Sequence, residues 1–151
     1  MSVTQKVGAL GEELVVMFLV KRGYKILHRN FRKPWGELDV VAKKNRVIHF
    51  VEVKSLSTQL NVSDETISQE TSGGEDVSSC VIRSVSSKDK MRPEEHVHAR
   101  KIKRLGHIIQ TYLRVEHVSF ETKWQFDLAT VLLDAEKKKA KINLMEDIIL
   151  T

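Results

Sequence analysis

Hydrophobic positions along the chain change period several times, and each change predicts an element. From Thr4 to Arg22, Val7, Leu10, Leu14, Met17 and Phe18 recur at helical spacing, which predicts a first helix with Thr4 as N-cap and Gly23 as stop. Tyr24 to Leu27 then reads as a short strand, followed by the basic connector His28-Arg29-Asn30-Phe31-Arg32-Lys33-Pro34. Two further runs, Gly36 to Ala42 and Val47 to Lys54, flank Lys43-Lys44-Asn45-Arg46 and predict an antiparallel hairpin. Helical period returns over Pro93 to Leu113, with Ile102, Leu105, Ile109 and Tyr112 on one face. Trp124 to Leu133 predicts a long strand in which Trp124, Phe126 and Leu128 alternate as core, and Ile142 to Leu150 holds a final short element.

Between the hairpin and the second helix the pattern disappears. Residues 57–88 are dominated by Ser, Thr and acids, and such a segment buries too little apolar surface to offset its ordering entropy. It is expected as a flexible insertion, with a brief strand at Cys80 to Val85, inside one α/β domain spanning residues 1–151.

Composition narrows the classes. The 151 residues are 41% hydrophobic and 30% charged, as in a soluble globular chain. Lysine and arginine number 25 against 20 acids, a net charge of +5 that biases the chain toward anionic partners such as nucleic acid. Cys80 is the single cysteine, which excludes an internal disulfide and a cysteine-rich zinc site and favours a reducing compartment such as the cytoplasm. No signal-peptide order of charge, apolar run and cleavage site is expected at the start, and no run reaches membrane-spanning length.

The candidate chemistry lies in GELDVVAKKNRVIHFVEVKS, residues 36–55. Strand alternation puts Glu37 and Asp39 on one face of the first hairpin strand, and Glu52 and Lys54 on one face of the second. If those faces coincide, Asp39, Glu52 and Lys54 converge. Two carboxylates with few imidazoles or thiols nearby favour Mg²⁺ or Mn²⁺, and a lysine beside them suits metal-assisted phosphodiester hydrolysis.

These residues carry a resemblance. Asp39 followed by Glu52-Val53-Lys54 resembles the site of the PD-(D/E)XK nuclease superfamily. Gly11-Glu12, Gly23-Tyr24-Lys25-Ile26-Leu27, Asn30-Phe31-Arg32, Gly36-Glu37-Leu38-Asp39 and Phe50-Val51-Glu52-Val53-Lys54 resemble, in order and spacing, the YraN family of endonuclease-like proteins. More loosely, the similarity resumes through Lys101, Arg104-Leu105, Tyr112-Leu113 and Phe126-Asp127. It implies a restriction-endonuclease-like core, a central mixed β-sheet flanked by helices, shared more distantly with archaeal Holliday-junction resolvases. It also implies a Mg²⁺-dependent endonuclease acting on DNA, with Asp39, Glu52, Glu12 and the Val53 carbonyl at the metal and Lys54 as the catalytic lysine. Leu38 departs from the superfamily's proline, and the segment after Lys54 is unusually long. Periodicity alone leaves Glu12 solvated, with Glu13 nearer the apolar stripe; the place of Glu12 after Gly11 favours it by resemblance.

The second helix adds a binding surface. His98 and Lys101 align with its apolar stripe and border the cleft, whereas Arg100, Lys103 and Arg104 point outward toward phosphates. Trp35 stacks on a base or anchors the hairpin, with the structural role preferred. His96 and His98 lack further ligands for zinc. A homodimer would suit a branched substrate. The rival reading from another class is a noncatalytic nucleic-acid-binding module that retains the fold.

Overall fold

The computed structural model describes residues 2–57, 99–134 and 136–150. Helix α1, Val3–Lys21, starts two residues earlier than expected, because Ser2 rather than Thr4 is the N-cap. Ser2 Oγ accepts from Gln5 N–H at 3.2 Å and Gln5 Oε1 accepts from Ser2 N–H at 2.8 Å, a closed capping box. Gly23, at φ 83°, ends the helix as expected. Its N–H bonds to Val20 O and the Tyr24 N–H to Leu19 O, both at 3.0 Å, the pairing of a Schellman motif.

Strand β1 spans Lys25–Lys33, so the basic connector expected after Leu27 is instead strand. It lies at the edge of the sheet, where one side needs no apolar neighbour and charges are tolerated. Pro34-Trp35 turns the chain into β2, Gly36–Lys44, and Asn45-Arg46, at φ 50° and 65°, turns it into β3, Val47–Ser57. Two consecutive positive φ values mark the tight hairpin turn whose twist matches its strands. Helix α2, Ala99–Val115, precedes β4, Trp124–Asp134, and β5, Lys139–Met145. The final element therefore begins and ends earlier than the apolar run Ile142–Leu150 suggests.

The five strands form one mixed sheet in the order β1-β2-β3-β4-β5, with β3 and β4 parallel and the other pairs antiparallel. The two helices cover opposite faces. Leu14, Val15, Phe18 and Leu19 of α1 pack on Val40, Ala42, Val51, Ala129 and Val131. Leu105, Ile108, Ile109 and Tyr112 of α2 pack on Leu38, Val41, Ile48, Phe50 and Phe126. Alternating residues of β2 and β3 thus divide between two cores, as a doubly covered sheet requires. Trp124, expected in the core, is 39% exposed at the sheet's end. Among the described residues no helix is long and apolar enough to cross a membrane. The expected insertion and the brief strand at Cys80 to Val85 lie outside the described residues, apart from Ser57, which closes β3.

Candidate functional site

Glycine placement brings α1 onto the site strand. A Cβ on Gly11 would lie 2.8 Å from Ser55 Cβ and overlap its Oγ, so the helix backbone crosses β3 in direct contact. Ser55 Oγ is buried there with no hydrogen-bond partner among the described residues. This crossing sets Glu12 near the carboxylates of the sheet, and its charge acts on Asp39. Glu13, one position on, is exposed and instead bonds Arg29 Nη2 at 2.7 Å.

The hairpin opens at Asp39. The β2–β3 ladder runs from Lys44 and Val47 to Val40 and Val51 and then stops. Continued register would pair Leu38 with Val53, but the Val53 N–H instead donates to Asp39 Oδ2 at 2.8 Å. A side chain has replaced a backbone acceptor, and the strands part there. Asp39 also sits at a gap in the β1–β2 register opposite Asn30, whose φ is 52°. Alternation fails across it: Leu38 joins the α2-side core and Val40, two residues later, the α1-side core. Simple parity for Glu37 and Asp39 is therefore broken, and Glu37 turns to Arg32, 3.1 Å away.

Electrostatics at this opening are unfavourable to a bare carboxylate. Asp39 is 8% exposed. Burial, then the neighbouring Glu52 charge, push its pKa up to about 7; the Val53 amide opposes this, and Glu12 and Glu37 add to the rise. Glu52 faces the α2 side, where Lys101 forms an ion pair with its Oε1. Lys54 lies two residues on along β3, half-buried and on the same side of the strand by alternation. Val53 presents its amide toward Asp39, and in a strand the carbonyl of a residue leaves on the same edge as its amide.

Asp39 is thus the meeting point of this region: the Val53 amide bonds it, and the charges of Glu52 from β3 and Glu12 from α1 both act on it. Lys103 and Arg104 are exposed on α2, facing the β1–β2 turn. His98 and the side chain of Arg100 lie outside the described residues, as does His96.

A second polar cluster was missed by reading the sequence. His49, Asp127 and Glu146 offer ligand atoms within 4.8 Å of one another. His49 Nδ1 meets Asp127 Oδ2 at 2.7 Å, while Asp127 Oδ1 accepts from Gln125 Nε2 and the Asp147 N–H, both at 2.9 Å. Tyr24 OH donates to Glu146 Oε1 at 2.8 Å, and burial followed by that bond raises its pKa above the ordinary tyrosine range. A polar residue inside an otherwise apolar strand, as at Asp127, was the available signal; the partners come from distant segments.

Residues 11–72 match the model of the uncharacterised protein family UPF0102. Over 145 residues the chain is 29% identical to a UPF0102 protein of Caldicellulosiruptor bescii, an alignment covering 95% of this chain and 96% of that one. A UPF0102 protein of Campylobacter jejuni is 46% identical over 57 residues, 38% of this chain and 51% of the relative. One from Wolinella succinogenes is 56% identical over 48 residues, 32% of this chain and 44% of the relative. The chain thus spans about half or less of these last two relatives. These are similarities, and the span matched by the family model, residues 11–72, contains the five closely spaced motifs quoted above.

Proposed function

We propose that this chain is a Mg²⁺- or Mn²⁺-dependent endonuclease that hydrolyses phosphodiester bonds in DNA on a PD-(D/E)XK, restriction-endonuclease-like core. The observation that carries the reading is the split hairpin, in which a buried Asp39 is held by the Val53 amide against a second carboxylate, Glu52. Forcing two acids together in low dielectric is costly, and a divalent cation removes that cost.

The donor set fits such an ion: Asp39, Glu52, the Val53 carbonyl and Glu12 supply only oxygen. When bound, the ion polarises a phosphoryl oxygen and acidifies water. Asp39 must release its proton to take part, which its pKa of about 7 permits near neutrality. Lys54 holds a positive charge on the Glu52 side of β3, where it orients the attacking water and offsets charge that builds on the phosphate.

The noncatalytic alternative draws on one specific contact. Lys101 already neutralises Glu52 without a metal. A screen of duplex, single-stranded, branched and RNA substrates with Mg²⁺ and Mn²⁺, using Glu52→Ala as control, separates the readings. Cleavage by the native chain that Glu52→Ala lacks supports the nuclease. Absence of cleavage on every substrate, with no calorimetric metal binding at millimolar concentration, favours the binding module.

A further inference from the structure

Beside the opened hairpin, the β1–β2 turn and α2 enclose an open groove of about 720 Å³. Its walls carry the side chains of Arg32, Lys33, Lys103 and Arg104, and among the described residues lining it Glu37 is the single acid. Trp35 lines the same groove. Its indole stacks on the His107 imidazole, with centroids 5.3 Å apart and planes 15° from parallel. Its Nε1 donates to Thr111 Oγ1 at 3.1 Å, and Thr111 Oγ1 in turn donates to His107 O at 2.9 Å. Two residues one helical turn apart therefore fix the ring, yet it remains 42% exposed. An anchor alone would bury that face; a large ring held rigid, exposed and ringed by cations is a stacking platform.

We propose that this groove binds single-stranded nucleic acid, with one unpaired base on the Trp35–His107 platform and adjacent phosphates on Lys33, Lys103 and Arg104. The proposal rests on the nuclease reading only in naming the strand as substrate, and it specifies that substrate as unpaired. A duplex offers base edges and phosphates to a protein but keeps its base faces stacked, so it has no use for the indole. An apolar ligand leaves the cations of the groove unanswered, and an acidic peptide supplies no flat ring for Trp35. Trp35 lies four residues before Asp39 on the same hairpin, roughly 13 Å along an extended chain. Arg104, which lines the groove, lies three residues on from Lys101, the partner of Glu52, and so on the same side of α2. A strand seated in the groove thus leads along α2 to the carboxylates.

The test is fluorescence anisotropy of the full chain with labelled twelve-residue oligothymidylate and a twelve-base-pair duplex, both in EDTA. The single strand should bind more tightly. Trp35→Ala should weaken it at least about fivefold and Trp35→Phe should recover most of the loss, since a stacked base is sensitive to ring removal. Lys103→Gln with Arg104→Gln should weaken binding and flatten the salt dependence by about 0.7 in logarithmic slope per cation. Equal affinity of native chain and Trp35→Ala, or a duplex bound as tightly as the strand, overturns the proposal. So does displacement of the strand by polyglutamate at equal charge concentration. If Trp35→Ala loses its circular dichroism spectrum, the Trp35→Phe and charge variants decide on the same criteria. Because the readout is binding without metal, failure to cleave leaves the groove standing, and loss of Trp35 dependence leaves the carboxylate site standing.

Discussion

Two buried aspartates in neighbouring parts of one sheet have opposite surroundings. Asp127, fully buried, is met on both oxygens, by Gln125, the Asp147 amide and His49. Asp39, almost as buried, has the Val53 amide on one oxygen and the charges of Glu52, Glu12 and Glu37 around it. A carboxylate whose lone pairs are satisfied by hydrogen-bond donors is held in place; one with a single donor and other acids around it is strained toward protonation or a cation. Burial does not separate the two roles. The inventory of donors does: the bonds of Asp127 also fasten the residues after β5 against β4, while His49, Asp127 and Glu146 keep ligand atoms within 4.8 Å of one another.

The comparison breaks first on activity. Asp39→Ala or Glu52→Ala should lower metal-dependent cleavage at least about a hundredfold with circular dichroism unchanged, and Asp127→Asn should not reproduce that pattern. Retained cleavage in both alanine variants would remove the site from Asp39 and Glu52.

A second effect is thermodynamic. The folded pKa of Asp39, about 7, lies above its ordinary 3.8. Between those values the native chain keeps a proton that the unfolded chain has released, so metal-free stability should fall as pH rises from about 4 to about 7. The full span corresponds to on the order of 4 kcal/mol, and Asp39→Asn should flatten that part of a urea-denaturation pH profile. A profile that is the same in Asp39→Asn would place the cost elsewhere.

Asp127→Ala should destabilise the chain by about 3 kcal/mol in urea, because His49 and the Asp147 amide lose a buried partner. Calorimetric Mn²⁺ affinity of the folded fraction should stay within about twofold of native; a larger drop would make the cluster part of the metal site. The smallest effect is expected for Lys101→Ala. Its partly exposed pair with Glu52 contributes little to stability, and its removal should tighten Mn²⁺ binding a few-fold by vacating Glu52. Weaker metal binding would instead make Lys101 a supporting residue.

Strong periodicity was legible where an element has one buried face and one wet face. Helix α2 buries Leu105, Ile109 and Tyr112 as the linear pattern suggests, its expected start at Pro93 lying outside the described residues. The turn falls within the expected connector of residues 43–46, narrowed to Asn45-Arg46 because β2 runs through Lys44. Strand β1 was read as ending at Leu27 because an edge strand with exposed Arg29, Arg32 and Lys33 has no apolar alternation to display. Trp124 shows the converse: a strand pattern reveals alternation, not how far the covering helix reaches.

Within GELDVVAKKNRVIHFVEVKS, strand alternation offered Asp39, Glu52 and Lys54 as candidates, and the family resemblance of the motifs upstream is what singled them out from an ordinary hairpin with a wet face. Alternation did not supply how they meet. The break at Asp39, the capture of the Val53 amide, the crossing of Gly11 over Ser55 and the reach of Lys101 to Glu52 all join segments far apart along the chain. Such contacts depend on which sheet face each helix covers and at what distance it passes, and those are set by packing of two cores at once, which no local period encodes.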